Sequence, residues 1–82
     1  MDQKLVQCFV DSLGIEKSGV KDTLKYNAIS EWDSIGHMAL VAKIEEVYGI
    51  TLDTDDILDM SSVKKTKEIL DKYTAKHATS KK

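Results

Sequence analysis

Apolar residues recur at helical spacing in three stretches of the chain. In residues 3–13, Leu5, Phe9 and Leu13 recur every fourth position. A longer stripe follows in residues 34–48, made of Ile35, Met38, Val41, Ile44 and Tyr48. A third stripe, in residues 63–73, is made of Val63, Thr66, Ile69, Leu70 and Tyr73. Spacings of three and four residues match the period of an α-helix with one buried face. The pattern therefore predicts three amphipathic helices.

Glycines and acidic residues mark where these helices end and where a shorter one begins. Leu13-Gly14-Ile15 and Tyr48-Gly49-Ile50 have the same form, in which a left-handed glycine closes a helix. Residues 53–60 begin with acids and continue with apolar residues, which suits a short helix because the helix dipole favours acids in its first turn. The candidate N-caps are Asp2, the pair Asp33-Ser34 and the pair Ser61-Ser62.

Residues 15–33 show no sustained period. Spaced apolar residues, Val20, Leu24, Ile29 and Trp32, predict a long loop pinned to the core. So long a loop in a small domain is unusual and often functional. The predicted fold is all-α: a small four-helix bundle with three longer helices, a short third helix and a long first loop.

The three stripes must bury one another to make one core, so Phe9, Ile44 and Ile69 are expected to face each other. Cys8 borders the first stripe and is expected to be a small, half-buried side chain. We place the folded domain in residues 1–74 and expect residues 75–82, which are polar and basic without a period, to form a flexible tail.

Composition narrows the function classes. The chain has 82 residues, of which 41% are hydrophobic and 32% are charged. This predicts one folded domain without room for a deep interdomain pocket, and we expect it to be monomeric. There is no arginine, which argues against nucleic-acid binding. No apolar run approaches the roughly 18 residues of a membrane span, and no signal-like segment follows Met1, so a cytoplasmic protein without membrane association is expected. The single cysteine makes neither an internal disulfide nor a zinc site.

The sequence argues against a hydrolytic site and against a calcium site. Ser34 and His37 lie on one helical face, three residues apart, but no nucleophile elbow or oxyanion hole accompanies them, so a hydrolase is not expected. The acidic run from Asp53 has Ile57 at the fifth position of a calcium loop and Lys64 at the twelfth, so it does not match an EF-hand. We predict no catalytic residues and no metal site, and helix capping accounts better for the acidic run.

The pair Asp33-Ser34 allows two interpretations. One residue must cap the second helix, which is the simpler account. A serine there would also be exposed at the end of the loop, where free backbone N–H groups and the helix dipole tolerate an attached phosphate.

The stretch Trp32-Asp33-Ser34-Ile35-Gly36-His37-Met38, followed one helix-length later by Glu45-Glu46-Val47-Tyr48-Gly49-Ile50, resembles the acyl carrier proteins. Leu52, the acidic short helix, Met60 and Ser61-Ser62-Val63 agree with the same family order. The resemblance covers about residues 3–74. It implies a non-catalytic carrier in which a phosphopantetheinyl transferase attaches 4′-phosphopantetheine from coenzyme A to Ser34. The arm would carry an acyl or aminoacyl group as a thioester, supplied by a loading ligase and consumed by a downstream transferase or synthase.

Two departures from the family pattern bear on pathway and docking. Trp32 stands where fatty-acid carriers usually have Ala or Leu, and Gly36 and Ala39 stand where they usually have acids. The Trp-Asp-Ser-x-Gly-His form resembles specialised carriers outside primary fatty-acid synthesis. Residues 28–60 nevertheless carry a net charge of −7 against +5 in residues 61–82, so an acidic face for a basic partner is expected. The candidate docking residues are Asp33, Ile35, Met38, Glu45, Glu46, Asp55 and Asp56.

A rival from another class is a small helical interaction adaptor without a prosthetic group. In that case Ser34 is only a cap, and the acidic face binds a basic partner.

Overall fold

The computed structural model describes the backbone of residues 3–80 and the side chains of residues 3–73. Within that range the chain forms four α-helices and no β-strand: α1 (Gln3–Leu13), α2 (Ser34–Tyr48), α3 (Thr54–Asp59) and α4 (Val63–Ser80), with a short 3₁₀ turn at Lys17–Gly19. The predicted all-α bundle with a short third helix is confirmed. The predicted cap Asp2 lies outside the described residues.

The helix ends follow the predicted turn chemistry. Gly14 and Gly49 have φ values of 67° and 65°, the left-handed conformation expected of a glycine that closes a helix. The side-chain oxygen of Ser62 accepts a hydrogen bond from the N–H of Lys65 at 3.0 Å, which caps α4. The backbone of α4 runs on to Ser80, past the predicted end near Tyr73, and so covers part of the predicted tail. The boundary between domain and tail stays a prediction.

One core joins all the helices and the long loop. The loop contributes Val20 and the fully buried Trp32, as predicted. The indole of Trp32 meets the ring of Phe9 edge-on, with ring centroids 5.2 Å apart. Phe9, Ile44 and Ile69 are all buried, as expected, while their mutual contact stays a prediction. Cys8 is completely buried rather than half-buried, because its small side chain lies within the packed face of α1.

The stripe assigned to α2 was wrong in its first turn. Ile35 and Met38 are 81% and 57% exposed, whereas Leu40, Val41 and Ile44 are buried. The face directed at the core begins instead with Gly36 and His37, which are both partly buried. Neither residue has a large apolar side chain, so the hydrophobic pattern does not include them.

The long loop is fastened to the connection between α3 and α4. Lys25 and Ser62 form an isolated antiparallel bridge. Beside it, the N–H of Tyr26 donates to the carbonyl of Ser61, and the N–H of Val63 donates to the carbonyl of Leu24, each at 2.9 Å. These bonds hold the loop in place just before it leads into α2.

Candidate functional site

The start of α2 presents one serine to solvent. Asp33 is the N-cap, and its carboxylate accepts the N–H of Gly36 at 2.8 Å. Ser34 is the first residue of the helix, and its side chain is exposed. Of the two candidate caps, the structure therefore selects Asp33 and leaves the hydroxyl of Ser34 available for chemistry.

The residue two positions before this serine is an anchor. Trp32 has no exposed surface. Its carbonyl oxygen accepts the N–H of Asn27 at 2.8 Å, and Asn27 itself has a φ of 70°, which closes a tight turn. The chain thus reaches Asp33 and Ser34 from a fixed point in the core.

Gly36 fixes the helix from the other side. A Cβ at this position would overlap the carbonyl oxygen of Glu31 and would lie 3.0 Å from Cδ2 of Leu13. The absent side chain makes room for the chain's own backbone and α1. The space is therefore filled from within the chain and is not open to a partner or a prosthetic arm.

His37 is half-buried, and both of its ring nitrogens are occupied away from Ser34. The indole Nε1–H of Trp32 donates to Nδ1 at 3.0 Å. The other nitrogen, Nε2, lies 2.8 Å from the carbonyl oxygen of Ile57 in α3. Because neither nitrogen is left for the serine hydroxyl, His37 does not act as its general base, and the geometry gives no support to a Ser-His hydrolytic pair.

Exposed apolar side chains surround the start of α2. Ile35 and Met38, both predicted docking residues, stand in solvent beside Ser34. Leu58 of α3 is 78% exposed and follows Ile57, whose carbonyl is bonded to His37. Sequence analysis did not single out Leu58, because an apolar residue in a short amphipathic helix is ordinarily assigned to the core.

Two of the predicted docking acids make hydrogen bonds within the fold. One carboxylate oxygen of Glu45 accepts the N–H of Leu52 at 2.8 Å, which secures the chain after α2. Asp56 accepts the hydroxyl of Tyr73 at 2.6 Å and the ammonium group of Lys72 at 3.0 Å, which ties α3 to α4. Glu45 and Asp56 are thus engaged within the chain and their docking roles stay predictions, whereas Glu46 and Asp55 are exposed.

The contacts at Asp56 also shift its titration. The hydrogen bond from Tyr73, followed by that from Lys72, lowers the pKa of the Asp56 carboxyl. The hydrogen bond that Lys72 donates to Asp56 raises the pKa of Lys72. The pKa of Tyr73 is raised first by desolvation and then by its bond to Asp56. This cluster is a joint between two helices.

Two further findings concern metals and membranes. Across the described side chains, no group of three or more His, Cys, Asp or Glu residues is arranged to hold a metal ion. None of the helices in the described part of the chain combines the length and apolar character that crossing a bilayer requires. Asp53 occupies the N-cap position of α3 but makes no side-chain capping bond, so the predicted capping by the acidic run is not seen at that residue.

A small helical bundle that exposes a serine at a helix start, with the nearby imidazole engaged elsewhere, is a scaffold suited to a covalent attachment. Residues 3–70 match the family described as phosphopantetheine attachment site, and the chain belongs to that family. No curated protein and no solved structure matches the chain. Domains of this family are attachment sites for covalent 4′-phosphopantetheine and are in general non-catalytic carriers, modified by phosphopantetheinyl transferases and acting with biosynthetic enzymes. The chain is therefore a phosphopantetheine-bearing carrier protein.

Proposed function

We propose that Ser34 is the residue that bears the phosphopantetheine. The observation that carries this proposal is its place as the exposed first residue of α2, directly after the capping Asp33 and inside the matched span. The site fits the group, because the cap role belongs to Asp33 and the positive end of the helix dipole accommodates a phosphodiester.

The attachment is a phosphoryl-group transfer from coenzyme A. The Oγ atom of Ser34 forms a bond to the pantetheine-side phosphorus, and the pyrophosphate P–O bond breaks. Adenosine 3′,5′-bisphosphate leaves, and the serine proton passes to a base of the transferase, since His37 is engaged elsewhere. The arm supplies a terminal thiol to which an acyl or aminoacyl group is joined as a thioester. Tethering raises the effective concentration of that group at a docked enzyme.

Partner enzymes dock on the exposed surface around Ser34. The proposed docking surface consists of Asp33, Ile35, Met38, Glu46 and Asp55, all of which are exposed. Its apolar members offer area that a partner can desolvate, and its acids attract a basic patch on the partner, mainly by speeding encounter. Leu58 extends the apolar part onto α3.

The carrier serves a specialised pathway as a cytoplasmic monomer, loaded by an acyl or aminoacyl ligase and discharged by a transferase or synthase. The support is the Trp-Asp-Ser-x-Gly-His motif, which departs from that of fatty-acid carriers. The departing residues also have packing roles in this chain. Trp32 is a core anchor bonded to His37, and position 36 has no room for an acidic side chain.

Intact mass measures the attachment directly. The purified protein is incubated with coenzyme A and a broad-specificity phosphopantetheinyl transferase, beside Ser34→Ala and the control Ser30→Ala, which removes another exposed serine of the same loop region. The wild type and the control should gain one phosphopantetheinyl group, and Ser34→Ala none. An unmodified wild type would favour the adaptor alternative, whereas a modified Ser34→Ala would place the attachment elsewhere.

A further inference from the structure

Trp32, directly before the Asp33-Ser34 pair, is hydrogen-bonded to the imidazole of His37, three residues after it. An indole N–H is only a donor, so Nδ1 of His37, 3.0 Å from Nε1 of Trp32, must be an acceptor. The hydrogen of a neutral imidazole then sits on Nε2, which donates it to the carbonyl of Ile57 at 2.8 Å. The bonding pattern thus fixes His37 as the neutral Nε2–H form.

Aromatic ring contacts accompany this hydrogen bond. The planes of Trp32 and His37 lie 20° apart, with centroids separated by 6.2 Å. Tyr26 meets the imidazole edge-on at 5.3 Å and the indole edge-on at 6.3 Å. Because Trp32 is fully buried, its N–H has no access to water as a replacement acceptor.

We infer that His37 is a positioning residue for the loading of Ser34: its unprotonated Nδ1 holds Trp32, and with it the loop that presents the serine. The inference rests on the proposed attachment at Ser34. His37 acts through Trp32 at one nitrogen and through α3 at the other. It takes no proton from the hydroxyl of Ser34.

Acidification opposes this arrangement. A second proton on His37 makes both ring nitrogens donors, so Nδ1–H and the indole N–H point at each other. The buried indole donor then loses its only described partner, which is unfavourable in a core. The loop that leads to Ser34 is expected to loosen when His37 gains a second proton.

Among the described side chains, three titratable residues near His37 in the chain or in space are directed or bonded elsewhere. Tyr26 presents a ring edge. Asp33 at the start of α2 holds the N–H of Gly36, and Asp56, next to Ile57 in α3, is held by Tyr73 and Lys72. The hydrogen bond that holds Trp32 therefore depends on the neutral state of His37 itself.

Two substitutions of His37 differ in whether they keep a hydrogen-bond acceptor for the indole N–H of Trp32. In His37→Asn, the amide oxygen lies where Nδ1 was, so an acceptor for Trp32 is kept and the titration is removed. In His37→Gln, the longer amide reaches toward Ile57, but the acceptor beside Trp32 is lost. His77→Gln, which alters the chain's second histidine, is the matched control.

The first measurement is independent of loading. Trp32 is the only tryptophan, so ¹⁵N-labelled protein has one indole N–H signal. Between pH 8 and pH 5 that signal should shift with the same midpoint as the imidazole nitrogens of His37, and the shift should be absent in His37→Asn. An indole signal that ignores the titration of His37, or the same shift in His37→Asn, overturns the inference.

The second measurement is the kcat/KM of a transferase for the carrier at pH 8 and pH 5.5. Comparing variants at each pH cancels the transferase's own pH dependence. From pH 8 to pH 5.5 the kcat/KM of the wild type and of His77→Gln should fall by at least roughly fivefold relative to that of His37→Asn, the low end of the ratio expected for one unpaired buried donor. A constant ratio overturns the inference. No loading of the wild type at pH 8, where imidazole is neutral, overturns the attachment at Ser34 instead.

Discussion

Gly36 packs beneath the carbonyl oxygen of Glu31, so closely that a Cβ at position 36 would overlap that oxygen. Cδ2 of Leu13 closes the same space from α1. A backbone carbonyl cannot swing aside as the tip of a flexible side chain does. The approach of the loop to the first turn of α2 therefore requires glycine, although glycine is otherwise unfavourable inside a helix.

Gly36→Ala is expected to destabilise the protein. In an open helical position this change would stabilise by about 0.5–1 kcal/mol, but the overlap should reverse the sign and cost about 1–3 kcal/mol. Urea unfolding measures the difference. Gly19→Ala is the control, because nothing lies within 4 Å of a Cβ there. A more stable Gly36→Ala would mean that the loop yields at Glu31.

Substitutions of Asp33 and of Ser34 should have different effects on the free energy of unfolding. Asp33→Ala removes the bond to the N–H of Gly36 and should lower the free energy of unfolding by about 1 kcal/mol. Ser34→Ala should change it by less than about 0.5 kcal/mol, since the exposed serine is not the cap. Thermal and urea unfolding of both variants provide the comparison. A larger loss for Ser34→Ala than for Asp33→Ala would assign the structural role to the serine.

Two isoleucines of α2 form a matched pair for the corrected helix face. Ile44→Ala opens the core and should cost about 2–5 kcal/mol. Ile35→Ala alters a side chain that is 81% exposed and should stay within about 0.5 kcal/mol of the wild type. Equal losses in denaturant unfolding would contradict the assigned orientation of α2. Phe9→Ala and Ile69→Ala should resemble Ile44→Ala.

The joint between α3 and α4 should respond to pH at both extremes. The lowered pKa of Asp56 means that its contribution to stability is present above about pH 4, the unfolded value, and is lost as pH falls through the folded pKa. The raised pKa values of Tyr73 and Lys72 mean that their contributions are present below about pH 10 and are lost as pH rises through the folded pKa values.

Unfolding across this pH range measures both limbs. The stability difference between the wild type and Asp56→Asn should be largest near neutrality and should shrink in acid. The difference between the wild type and Tyr73→Phe should shrink in base. Asp55→Asn, at the exposed neighbouring position, is the control. A difference for Asp56→Asn that does not vary with pH would remove the carboxylate from the joint.

The docking acids can be tested without disturbing the fold if the right ones are chosen. Glu46→Lys combined with Asp55→Lys should slow loading of Ser34 by the transferase at low salt. The effect should shrink as ionic strength rises, because exposed charges are screened over about 8–10 Å at physiological salt. Circular dichroism should be unchanged. Wild-type loading rates in low salt would show that these acids are only a solvated surface.

Glu45→Gln is the contrasting variant. It keeps an oxygen that can accept the N–H of Leu52 while removing the charge. Glu45→Lys would lose that bond, so a defect in loading would mix docking with local unfolding. The expected result for Glu45→Gln is a normal fold and nearly normal loading.

The sequence by itself located the helices and two of their ends, and its motif marked one candidate serine. Leu5, Phe9 and Leu13 marked α1, the glycines at 14 and 49 marked two helix ends, and the motif around Ser34 marked the candidate attachment residue. These features depend on local geometry and on spacing along the chain, which a sequence displays directly.

Only the tertiary structure decided which face of α2 is buried and which polar residues are structural. Trp32 meets His37 five residues on, while Asp56 meets Tyr73 seventeen residues on. Glu45 reaches across a helix end to Leu52, and Gly36 is required by a carbonyl in the preceding loop. Such contacts arise from how the loop and helices pack, and periodicity carries no information about them because polar residues and glycine do not contribute to a hydrophobic stripe.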